Sequence, residues 1–180
     1  MNIAADISPG DTASLVSSKP TREDNDFRDT FVVFDLCDQS FGVEVKFVRE
    51  IIDLSAIRRI PTPRPDIDGV VDIRGESIPI IDISSLLNLH MHGQDDATRI
   101  IVFEIEDGDT VVPVGVLADR VRDVVQIPHS AVEDPPGMLS GGGSGAFLLG
   151  IARLGEQFIM LVDIFGIISP KVSSSSLDMF

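Results

Sequence analysis

The chain has no tryptophan, no tyrosine and a single cysteine among its 180 residues. One cysteine cannot form an internal disulfide, so any core must hold by burial alone, as suits a reducing compartment. That residue, Cys37, sits in FDLCDQSF with no basic neighbour to lower its pKa, and reads as a small apolar side chain rather than a nucleophile. Without indole or phenol rings, base-stacking platforms would fall to phenylalanine, and the phenylalanines lie in strand-like patterns instead. Positive charge is also scarce. Lys and Arg number 14 against 29 Asp and Glu, and the formal net charge of −15 repels nucleic acid and anionic lipid. A protein, or a basic surface, is the expected partner. There is no uninterrupted apolar run of about 18 residues, the minimum for a membrane helix. The N-terminal stretch has neither the basic start nor the apolar segment of a secretory signal. The expectation is a cytoplasmic protein with no direct membrane insertion.

Catalytic signatures are missing too. There is no Walker loop, no GxGxxG opening a helix and no nucleophile elbow. SGGGSG at 140–145 follows no strand and leads into neither a lysine nor a helix, so it makes no phosphate cradle. His90 and His92 in HMHG have Asp95 and Asp96 nearby, but a zinc site needs three or four converging ligands, and His129 stands far off in a proline-flanked loop. No metal and no cofactor is expected.

What the sequence does contain is short strands. Residues 1–29 mix Ser, Thr, Asp, Pro and Gly without a period and read as a mobile arm. From Thr30, TFVVFDL, SFGVEV and KFVREII read as strands, SAIRRIPTPRPDIDG as an extended proline-bearing connection, and GVVDIRGESIPIIDI as a hairpin. ISSLLNLHM reads as a helix of two turns with Asp82 or Ser84 as its cap. A second series follows: TRIIVFEI, the turn EDGD, TVVPVGVLADRVRDVVQI and FLLGIARLGEQFIMLVDIFGII. The ordered part is expected to span 30–170, with Pro170 as a stop and a loose tail over 171–180.

The two series repeat one another. FVVFDL matches IIVFEI, FVREII matches RVRDVV, and the hairpin from Gly69 matches that from Gly150, with Gly69/Gly150 and Asp82/Asp163 both 81 positions apart (150 − 69 and 163 − 82). Five strands per half suffice to close a small barrel and remove exposed edges. The expected fold is therefore mainly β, two five-stranded β-barrels with short helices, divided at about 30–95 and 96–168 with elements exchanged between them. The repeat also separates framework from function. Asp82 and Asp163 occur in both halves, at a strand end that suits helix capping better than a proton-sharing carboxylate pair, and neither is followed by the Thr or Ser and Gly of aspartic proteases. Arg74 is different, because its counterpart is Gly155. The fold needs no arginine there, and a guanidinium on a tight turn suits the binding of carboxylates or carbonyls on another protein.

The order FVVFDL…FGVEVKFVREII, RRIPTPRPDIDGVVDIRGESIPIIDI, VGVLADRVRDVVQIP and LLGIARLGEQFIMLVDI, above all G-V-x-x-I-R-G-x-x-I-P-I-I-D, resembles the CheW-domain proteins, adaptors of bacterial chemosensory arrays. The resemblance runs from Thr30 to about Ile168. It implies SH3-like barrels, no catalysis, and two partners, the regulatory domain of the histidine kinase CheA and the cytoplasmic helical hairpin tip of chemoreceptors, with recruitment to membrane-associated arrays. It further implies that Arg74, Val48, Glu50 and Ile51 face the receptor and that Gly69, with Gly75, serves coupling to the kinase. Asp72 departs from the pattern, standing where the family commonly has Asn and placing negative charge near Arg74. So do the glycine-rich loop and the N-terminal arm. With no kinase core or receiver domain in the sequence, a free-standing adaptor is expected. The rival readings are a degenerate relative that binds only the kinase and a small-molecule or hydrolase module using Asp82 and Asp163, which demands a pocket with converging titratable groups.

Overall fold

The computed structural model describes residues 30–61, 65–89, 93–137 and 147–172. The arm read at 1–29, His90 and His92, the glycine cluster Gly141–Gly145 and the chain beyond Val172 lie outside them. The strands are β1 (Thr30–Leu36), β2 (Gln39–Glu44), β3 (Val48–Asp53), β4 (Ile67–Ile73), β5 (Glu76–Ile81), β6 (Arg99–Asp107), β7 (Thr110–Ala118), β8 (Arg120–Gln126), β9 (Val132–Glu133), β10 (Leu148–Leu154) and β11 (Gln157–Val162). Two helices, α1 (Ile83–Leu86) and α2 (Ile164–Val172), follow β5 and β11. Among the described residues, no helix is long and apolar enough to cross a membrane.

The strands form two sheets, in the orders β8-β1-β2-β11-β10-β9 and β3-β6-β7-β5-β4. Each sheet takes a hairpin from one half of the chain and its remaining strands from the other. β3 pairs with β6 across the halves, and β8 pairs with β1. The repeat holds pair by pair. Ile67↔Ile81, Gly69↔Ile80 and Ile73↔Glu76 in β4–β5 recur as Leu148↔Val162, Gly150↔Leu161 and Leu154↔Gln157 in β10–β11, with the same register shift at the glycine.

This exchange explains why FVVF and IIVF are continuous apolar runs rather than alternating ones, since β1 and β6 are buried on both faces. Phe31 and Val33 point into a cluster with Ala152, Ile159 and Leu161, while Ile100 and Val102 point into its counterpart with Val71, Ile78 and Ile80. The opposite faces meet in one shared core, where Val32, Phe34 and Leu36 face Ile101, Phe103 and Ile105, closed by Ile83 of α1 and Ile164, Ile167 and Ile168 of α2. Three apolar clusters, two matched and one shared, are compatible with a pair of SH3-like barrels packed on a common seam.

The helices depart from the sequence expectation in extent. α1 is one turn, not two, because Asn88 adopts a left-handed φ of 56° and the Leu89 N–H reaches back to the Ser84 carbonyl at 2.8 Å, ending the helix in a Schellman-type closure. α2 continues past Pro170 to Val172, its start anchored by three isoleucines in the shared core. The cap of α1 is Asp82, whose carboxylate accepts from the Ser84 and Ser85 amides at 3.0 and 3.3 Å. Burial pushes the Asp82 carboxyl up, but the hydrogen bonds from Ser84 and Ser85 outweigh it and hold the group below the usual carboxylate range. Asp82→Ala is expected to cost about 1 kcal/mol in urea denaturation at neutral pH. Because the folded pKa lies below the unfolded one, that contribution is complete above the unfolded value and is lost as pH falls through the folded value. The gap between variant and wild type should therefore narrow below about pH 4.

Candidate functional site

The hairpin β4–β5 closes through two residues, Arg74 and Gly75, between the paired Ile73 and Glu76. Both have positive φ, 53° and 86°, the geometry whose twist matches a two-residue hairpin. Glycine accepts it freely, whereas a residue with a Cβ is disfavoured there by roughly 1–2 kcal/mol. The second hairpin follows that preference with Gly155, φ 62°. Arg74 thus occupies a position where local energetics ask for something else. Asp72 fastens the turn by accepting from the Gly75 amide at 3.1 Å.

The Arg74 side chain is 80% exposed, and its Nη2 donates to Oε2 of Glu50 at 3.1 Å. Glu50 lies in β3, with a side chain only 17% exposed. The ion pair therefore joins β3, one edge of the sheet, to the tip of the β4–β5 hairpin, whose strand β4 is the other edge. Two further charges extend it. Arg49 Nη2 donates to Glu76 Oε2 at 2.9 Å, and Arg49 Nε stands 3.7 Å from Glu50 Oε1. The result is an alternating string, Arg74, Glu50, Arg49, Glu76. Ile51, the next residue on β3, is 37% exposed. Arg49 and Glu76 were not singled out from sequence, although each adjoins a residue that was, Arg49 next to Glu50 and Glu76 next to Gly75.

The remaining candidates divide. Val48 is half-buried and packs against the shared core. Gly69 sits at the far end of β4 from Arg74, where Arg58 and Val70 exchange backbone hydrogen bonds of 2.8 and 2.9 Å. A Cβ on Gly69 would fall 2.4 Å from the Arg58 carbonyl oxygen and 2.8 Å from Ile57 Cγ2. Neither atom is the loose end of a side chain. Gly69→Ala is expected to destabilise by about 1–3 kcal/mol, read as a fall in melting temperature, because it forces the 54–61 segment off the sheet. At Gly75 a Cβ would meet nothing, and only its φ constrains it.

The catalytic alternative finds little to work with. The Asp82 carboxylate is taken up by capping, and the backbone N–H of Asp163 donates to the Phe147 carbonyl at 2.8 Å, as that of Asp82 does to Asp66 at 2.9 Å. Among the described residues, a cleft of 490 Å³ is lined by Leu54, Ile57, Arg59, Asp68 and Gln94, and one of 330 Å³ by Asp35, Asp119, Arg120 and Arg122, with neither aspartate of the pair in either lining. Burial pushes the Cys37 thiol up, as do the charges of Asp119, Asp82 and Asp38, which leaves it un-ionised at neutral pH.

Comparison with known proteins adds the following. The model of the CheW-like domain matches residues 30–171. The chain is 26% identical over 151 residues to the chemotaxis protein CheW of Treponema pallidum, covering 82% of this chain and 86% of that one. It is 30% identical over 141 residues to the chemotaxis protein CheW of Klebsiella aerogenes, covering 78% and 82%. Its fold superimposes on the crystal structure of the scaffolding protein TtCheW from Thermoanaerobacter tengcongensis with a TM-score of 0.67 and 27% identity, over 77% of this chain and 86% of that chain.

Proposed function

The chain belongs to the CheW-like domain family, and from that premise we propose that it is a non-catalytic scaffold of chemotaxis signalling, which couples chemoreceptor tips to the histidine kinase CheA. In this reading the Arg74 surface, with Glu50 and Ile51 and with Val48 supporting it from below, takes the receptor's helical hairpin. Apolar anchors and a polar rim are the usual means of binding a helix in a groove. A different face takes the regulatory domain of CheA, and Gly69 and Gly75 serve the coupling by holding the backbone of the same hairpin. The protein works in the cytoplasm at receptor arrays. Coupling between two such sites is typically worth about 1–3 kcal/mol.

The observation that carries the proposal is Arg74 itself. It is an exposed cation kept on a left-handed turn that the other half of the chain fills with glycine. Separate calorimetric titrations with a receptor-tip hairpin and with the CheA regulatory domain test the reading. Binding to both is expected. Binding to the kinase domain alone would reduce the protein to a degenerate relative, and binding to neither would remove the proposal.

A further inference from the structure

The internal repeat divides the charge string at the Arg74 surface into two kinds of residue. Arg49 and Glu50 have counterparts in the second half, Arg122 and Asp123, whereas Arg74 and Glu76 stand where that half has Gly155 and Gln157. The first half thus has both the arginine in the turn and the glutamate that follows it, and the second half has neither. The second half also displays what the shared arginine does without them: Arg122 Nε lies 2.7 Å from both carboxylate oxygens of Asp35, on the strand beside it. In the first half the residue matching Asp35 is Glu104, yet the hydrogen bond of Arg49 goes to Glu76 at 2.9 Å. Glu104 raises the Arg49 pKa through its charge alone, while Glu76 does so first of all through that hydrogen bond. The shared arginine thus bonds to the residue that follows the hairpin turn.

We infer that Glu76 and Arg49 are positioning residues for Arg74: Glu76 holds Arg49 against Glu50, and Glu50, approached from both sides, sets the direction in which Arg74 is offered to its partner. The inference rests on the receptor-binding reading above. An 80% exposed guanidinium has many rotamers to lose on binding. A fixed acceptor reduces that loss before the partner arrives, so the network acts on affinity through pre-organisation. It should do little for folding, since exposed ion pairs contribute little to stability. The partner chemistry that fits is a helical surface presenting a carboxylate or a row of free carbonyls to a single directed arginine, with no second cation released toward it.

The test is a double-mutant cycle in which Glu76→Gln, Arg74→Ala and the double variant are titrated with a receptor-tip hairpin, with melting temperatures measured in parallel. Glu76→Gln is expected to weaken binding about fivefold in the wild-type background and to have no effect once Arg74 is gone. Glu76→Asp, which keeps the charge, should recover most of the loss. Melting temperatures and binding to the CheA regulatory domain should not move. Additive effects, or an Arg74→Ala loss that Glu76→Gln does not reproduce in part, would overturn the inference while leaving the receptor reading in place. A wild-type protein that fails to bind the hairpin would remove both.

Discussion

Arg74→Gly is expected to weaken binding of a receptor-tip hairpin at least tenfold while leaving the melting temperature close to that of the wild-type chain. The stability terms nearly cancel. Relief of the left-handed conformation returns roughly 1–2 kcal/mol. Against it stand the greater freedom of glycine in the unfolded chain, about 0.4–1 kcal/mol, and the loss of one exposed ion pair, about 0.2–1 kcal/mol. Binding has no such compensation. A charge-assisted hydrogen bond contributes about 1.5–3 kcal/mol, which is tenfold or more in affinity. Glycine is the right substitution because the matching position of the second hairpin is Gly155, also at positive φ. A fall of more than about 5 °C, or an equal loss of kinase-domain and receptor binding, would mean that Arg74 is a structural residue.

Phe103→Ala is expected to cost about 3–5 kcal/mol and to lower the stability of both sheets together. Phe103 is fully buried in the core that the two sheets share, opposite its repeat counterpart Phe34. Because each sheet holds strands from both halves, neither half has a complete hydrogen-bonded sheet of its own. Denaturation followed by far-UV circular dichroism and by hydrogen exchange at amides of each sheet should give one coincident transition. Two separate transitions would contradict the shared core.

Much of this architecture was legible from residues alone, for identifiable reasons. β-branched runs and turn signals placed the strands, and the 81-residue offset predicted a pairing that the structure repeats residue by residue. The long uninterrupted runs FVVF and IIVF held the information that β1 and β6 are covered on both faces. Helix ends were less legible. The left-handed Asn88 that stops α1 and the continuation of α2 through Pro170 depend on tertiary anchoring that no local pattern encodes. β9 is only two residues long and exists because β10 offers it an edge.

The site was legible in part. The repeat marked Arg74 as foreign to the framework, and the structure places it against Glu50. It did not mark Arg49, whose type is kept in both halves and whose partner alone differs. A change of partner at an unchanged residue leaves no trace in sequence until the fold brings Glu76 across. Asp72, the negative charge near Arg74, also accepts from the Gly75 amide of the turn, a role that its type alone does not reveal.

The central claim is that one molecule holds a receptor tip and the kinase at the same time. Its most direct test is to form the complex of this protein with the CheA regulatory domain, add a receptor-tip hairpin, and measure the mass of the assembly by sedimentation. A three-component complex is predicted, with the kinase domain retained at saturating hairpin. Displacement of the kinase domain as the hairpin binds would show one shared face and contradict the adaptor account.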